Sequence, residues 1–128
     1  MVIVTATSRD TRSARQVSRK AIPLQKAHIH DTSVQANTDF LASDLTPSDP
    51  VVMFRVQMQS DTAAVFSAMV SDGSTEVTLK FNEGDQLTAG ALYIFDLLVH
   101  VDDNVNFQVD QAAKIEKFIV HEVLWAVQ

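Results

Sequence analysis

A chain of 128 residues, 46% of them hydrophobic, is the length of one domain and can bury a core without crosslinks. It has no cysteine, which excludes disulfides, thiolate metal sites and a cysteine nucleophile, and no apolar run approaches the roughly 18 residues that span a membrane. The formal charge of −6 is unevenly placed: residues 1–30 carry Arg9, Arg12, Arg15, Arg19, Lys20 and Lys26 against Asp10 alone, a balance of +5, whereas residues 31–128 carry four basic residues against fifteen acidic ones, a balance of −11.

This split predicts a basic arm on an acidic body. The N-terminus turns polar by Thr5 and lacks the basic start, long apolar stretch and cleavage site of a secretion signal, so a protein made in a cytoplasm and not exported is expected. Residues 1–7 are rich in β-branched side chains and predict a short strand. Residues 8–30 are polar and basic. Ala14 and Val17 give only a thin apolar stripe and Pro23 interrupts any helix, so an extended arm ordered against another surface is expected. Val34, Ala36, Thr38, Phe40 and Ala42 alternate with polar residues and predict a strand. Pro47 and Pro50 mark a connector. The resulting division is an arm over residues 1–45 and a β-sandwich domain over residues 46–128.

From residue 51 the alternation is regular. Val52, Phe54, Val56 and Met58 share one face, and residues 64–71 form the next strand. Asp72-Gly73 then precedes the alternating Val77, Leu79 and Phe81. This is the strongest hairpin signal in the chain, because glycine accepts a positive φ without a Cβ clash. Residues 82–90 form a loop. Residues 91–101 are nearly continuously apolar, which predicts a strand covered on both faces. Asp102-Asp103-Asn104 turns the chain, Val105, Phe107 and Val109 alternate again, and residues 114–127 form the last long strand. Turns recur about every 8–12 residues, and no helical periodicity follows residue 30. The fold expected is all-β: a jelly-roll-like β-sandwich with an extended N-terminal arm.

The candidate chemistry is sparse, and no catalytic, cofactor or metal site is expected. His28 and His30 would share a strand face, with Asp31 beside them, but a metal site needs three or four convergent ligands. Two histidines on a polar surface are the ordinary reading. His121 and Glu122 are adjacent on a strand and point to opposite faces, so they form no local dyad. His100 lies on an earlier strand and could meet His121 only across the sheet. No G-x-S-x-G turn supports a serine nucleophile. The acidic loops at residues 82–85 and 102–104 could offer oxygens to calcium, but Asp, Asn and Gly are also the commonest turn formers.

In the last strand Phe118, Val120, Leu124 and Ala126 alternate with Ile119, Val123, Trp125 and Val127, and both sets are apolar. Such a strand either lies at the centre of the fold or offers one face to another subunit. Phe118, Val120, Leu124 and Trp125 are the residues expected at a subunit interface, with Trp125 and Tyr93 as anchors.

Residues 51–127, and in them Leu87-Thr88-Ala89-Gly90-Ala91-Leu92-Tyr93-Ile94-Phe95 followed by Val105-Asn106-Phe107-Gln108-Val109, behind an extended basic arm, resemble the small β-sandwich proteins of virus particles. The resemblance is to the capsid decoration (cement) and head-fibre proteins of tailed bacteriophages. It implies a non-enzymatic virion protein, made in the host cytoplasm, that forms trimers or other symmetric homo-oligomers on capsid subunits. The arm would anchor it through Arg9, Arg12, Arg15, Arg19, Lys20 and Lys26. No membrane partner is expected. Nor is nucleic acid, because the arm lacks aromatics for base stacking and the acidic body repels a polyanion. The alternative is a carbohydrate-binding or adhesive β-sandwich module that holds its ligand with loops 82–90 and 101–104. A cupin-like metalloenzyme would need more histidines than His100 and His121 unless His28 and His30 joined them.

Overall fold

Seven strands in two antiparallel sheets make up the computed structural model, which describes residues 19–48 and 51–127. The strands are β1 (Arg19–Val34), β2 (Val51–Ser60), β3 (Phe66–Ser71), β4 (Glu76–Lys80), β5 (Leu92–His100), β6 (Asn104–Val109) and β7 (Ala113–Val127). The first sheet has the order β1-β7-β2-β5 and the second β4-β3-β6. The strand expected over residues 1–7 lies outside the described residues.

Residues 35–48 run along the otherwise open edge of β6. The Asn37 amide donates to the Val109 carbonyl at 2.7 Å and the Phe40 amide to that of Phe107 at 2.8 Å, while Leu45 and Val105 exchange both bonds. Counted as an irregular fourth member of the second sheet, this segment completes the strand order of a jelly roll. It is not the regular strand that its alternation predicts. Asn37 adopts a left-handed φ of 56°, and residues 41–44 bulge away from β6. Asn106 fills the bulge: its amide group donates to the Leu41 carbonyl and Asp44, and its Oδ1 accepts from the Leu41 amide. A buried side chain thus supplies the pairing that a straight strand would have supplied with its backbone.

The basic stretch from residue 19 belongs to the body. β1 pairs with β7 along its whole length, from Arg19 opposite Val127 to Val34 opposite Ala113, with Lys26 as an extra, bulged residue. It tolerates Pro23 and many polar side chains because it is an edge strand, where one side of the backbone needs no partner. Ala27, Ile29 and Val34 pack onto the core. β1, which precedes the boundary expected at residue 46, thus pairs within the sandwich.

β7 sits between β1 and β2, inside the first sheet. Phe118, Val120 and Glu122 turn inwards and are fully buried, while Ile119 and His121 on the other face are half-buried. β5 differs from its expectation. Among the described residues it is an edge strand, with Leu97 and Val99 buried on its inner side and Leu92, Ile94 and Leu98 exposed on its outer side.

Between the sheets Phe54, Val56 and Met58 of β2 meet Phe66 and Ala68 of β3 and Phe107 of β6, all buried. Phe66 is the hub of an aromatic pile. It lies 4.9 Å from Phe81, 5.7 Å from Phe107 and 5.9 Å from Phe40, ring centre to ring centre, with Phe118 edge-on at 6.3 Å. The Asp72-Gly73 hairpin joins β3 to β4 as its sequence predicts. Gly73 takes a φ of 94°, and the Asp72 carboxylate accepts the Ser74 and Thr75 amides at 2.8 Å each.

Candidate interaction surface

The strand registers align the outward side chains of the first sheet into rows. Met53, Arg55, Gln57 and Gln59 of β2 stand opposite Leu98, Asp96, Ile94 and Leu92 of β5 and opposite Val123, His121, Ile119 and Lys117 of β7. β1 adds Gln25 beside His121 and His28 beside Ile119. One row therefore reads Val123, Met53, Leu98 and another Ile119, Gln57, Ile94. Between them runs a charged row of His121, Arg55 and Asp96.

That charged row closes on itself. The Arg55 Nε donates to Asp96 Oδ1 at 3.0 Å. Partial burial pushes the Asp96 carboxyl upwards, but the groups around it, Arg55 among them, outweigh this and leave it below the ordinary aspartate range. Leu92, Ile94 and Leu98 on the flanking rows are 48%, 58% and 62% exposed. Exposed apolar side chains gathered on one sheet face around a closed ion pair have the composition of an association surface.

Of the residues expected to anchor the arm, Arg9, Arg12 and Arg15 lie outside the described residues. Arg19 and Lys20 begin β1, where their backbones pair with Val127 and Ala126. Lys26 turns to the body: its ammonium lies 3.7 Å from the fully buried Glu122. The same carboxylate accepts from both the amide and the hydroxyl of Ser48, at 2.6 Å each. This link between the bulge of β1, the segment before β2 and the heart of β7 escaped sequence reading. The signal available was Glu122, the one acid in the mostly apolar run from residue 118 to residue 127.

Of the residues expected at a subunit interface, Phe118 and Val120 are core residues with no exposed surface. Leu124 and Trp125 continue β7 opposite Ile22 and Ala21. Among the described side chains of β7, the apolar ones on the outer side are Ile119, which is half-buried, and Val123, which is buried. Tyr93 fastens a loop: the Thr88 side chain and then its amide, which donates to the Tyr93 hydroxyl at 2.9 Å, favour the phenolate and lower its titration below the ordinary tyrosine value, and its ring stacks on Phe95.

His28 and His30 share a face with ring centres 6.4 Å apart, and His30 pairs with Asp31 at 3.0 Å, both exposed. His121 points outwards and Glu122 inwards, as strand alternation requires. His100 and His121 do not meet. They stand at the levels of Val51 and Arg55 on β2, about 13 Å apart along the strand. Among the described residues no three histidine or carboxylate side chains gather to hold a metal ion. On the outer face of the second sheet a groove of about 270 Å³ is lined by Ser67, Thr78, Lys80, Gln108 and Asp110, with no aromatic ring for a sugar to stack on. Comparison with protein-family models, with curated proteins and with solved structures finds no match to this chain.

Proposed function

We propose that this chain is a non-enzymatic virion structural protein of the capsid decoration or cement type. Its β-sandwich builds an oligomer and its basic N-terminal arm docks on capsid subunits. The jelly-roll fold by itself does not choose among capsid, lectin and cupin roles, so the surface must. The observation that carries the reading is the outer face of the first sheet, where Leu92, Ile94 and Leu98 stand exposed around the Arg55–Asp96 pair. The charge split supports it: Arg9, Arg12 and Arg15 precede a body that is strongly acidic, so the arm suits an acidic protein surface other than its own solvent shell.

The test is peptide quantification by mass spectrometry of virus particles purified from the source culture. The expected result is this chain present in many copies per particle. Residues 19–128 alone, added to particles stripped of the protein, should fail to attach. Absence of the chain from particles overturns the reading, and full attachment by the truncated chain overturns the role given to the arm.

A further inference from the structure

Two open sheets have four edges, and an open edge is a template for another strand unless it is blunted. Three edges of this sandwich are blunted. That of β1 carries Pro23 and the Lys26 bulge. That of β6 is covered by residues 35–48. β4 is only five residues long and holds Glu76 and Lys80. The fourth edge, on β5, has none of these devices among the described residues. It runs nine residues, pairs with β2 without a bulge, and contains no proline, lysine or arginine. Its one carboxylate, Asp96, is held by Arg55. Among the described residues no strand pairs with its far side.

The neighbouring seam is apolar too. Phe81, just after β4, stacks on Phe95 of β5 at 4.7 Å, so β4 and β5 line the same side of the sandwich. Val77 and Leu79 of β4 stand opposite Val70 and Ala68 of β3 and so turn towards the first sheet, yet they are 51% and 41% exposed.

We propose that the β5 edge is a homodimer contact, in which β5 of one copy pairs antiparallel with β5 of a second copy about a twofold axis at Asp96. The sequence of the edge is self-complementary in that register. Ile94 meets the partner's Leu98 on the outer face, and Phe95 meets the partner's Leu97 on the inner face. Each carboxylate near the axis brings its own Arg55, which offsets the repulsion between the two. The acidic Asp102-Asp103 turn of one copy falls beside the uncharged Thr88-Ala89-Gly90 of the other. A parallel pairing would instead set the acidic turns together. The first sheets join into one sheet of eight strands, and the seam at Val77 and Leu79 comes under the cover of the second copy. An edge about 30 Å long and two sheets deep offers on the order of 600 Å² per copy, about 1,200 Å² in total, at the lower end of specific interfaces.

The dimer deepens the assembly reading by naming its first contact. The test is analytical ultracentrifugation of the full chain over a range of concentrations, with the double variant Ile94→Lys/Leu98→Lys beside it. Hydrogen exchange of the β5 amides is measured on both. Both lysines replace exposed side chains, and circular dichroism checks that the sandwich survives. The expected result is a dimer whose dissociation constant rises about 100-fold in the variant, together with β5 amides that lose protection as the dimer is diluted. A wild-type chain that stays monomeric at every concentration overturns the proposal, and so does a dimer indifferent to the lysines. Protection of β5 that persists in the monomer and vanishes only when residues 1–18 are removed also overturns it, and gives the edge to the chain's own N-terminal segment. A monomer found in particles sinks the β5 contact alone. A dimer absent from particles sinks the virion reading alone.

Discussion

Glu122 has no exposed surface, yet its carboxylate meets three donors: the Ser48 amide, the Ser48 hydroxyl and, more distantly, the Lys26 ammonium. A buried carboxylate is tolerated only when it is satisfied in this way, and removing one partner leaves the cost of burial without its compensation. Ser48→Ala should lower stability by about 1.5–3 kcal/mol, the worth of one hydrogen bond to a charged group. Urea denaturation measures it, and a change under about 0.5 kcal/mol, that of an ordinary surface substitution, would remove the hydroxyl from this account. Two exposed aspartates make the complementary case. The Lys114 amide and then the Thr62 hydroxyl bond the Asp61 carboxylate, and the Thr75 and Ser74 amides bond that of Asp72, so both titrate below the ordinary value of about 3.9. Depressed carboxylates stabilise the fold fully above about pH 4, and the contribution is lost as pH falls through their lowered folded values. Carboxyl NMR titration should find both midpoints below those of unbonded aspartates, and Asp72→Asn should flatten the acid limb of Tm against pH.

At the scale of elements, the strands legible in the sequence are those with one face on the core. Phe54, Val56 and Met58, and Val105, Phe107 and Val109, keep strict alternation because each set is buried while its neighbours face outwards or are covered by loops. The Asp72-Gly73 turn was legible because its chemistry is local. β1 was hidden. The bulge at Lys26 shifts the inward set from Leu24 to Ala27 and Ile29, so no single period runs through the strand. The edge position of β5 was hidden for another reason: a continuous apolar run has the same composition at the centre of a sheet and at its rim, and long-range pairing decides which. The rows of the outer face exist only once those registers are set. Because β1 is part of the sandwich, residues 19–128 should fold cooperatively with the circular dichroism of the full chain, while removal of residues 1–30 takes most of β1 and exposes the flank of β7. Thermal melts of the two truncations test this. Equal melting of both would return residues 19–30 to the arm.

For the whole molecule, stability centres on the pile around Phe66, which touches rings from both sheets and from the segment beside β6. Phe66→Ala should cost about 3–5 kcal/mol and lower the denaturation midpoint without altering its slope. A loss under about 1 kcal/mol would mean that the pile collapses around the vacancy.

The pairing of β1 with β7 also sets a timetable. β1 ends at Val34 and its only strand partner among the described residues begins at Ala113, so a chain emerging from the ribosome displays β1 long before that partner can pair with it. At about 5–20 residues per second the wait is about 4–20 s. Until β7 emerges, β2 and β5 have only each other to pair with among the described strands. Among the described residues none then covers the β5 edge, so in the proposed dimer a neighbour on the same message can meet it before either molecule has closed its core.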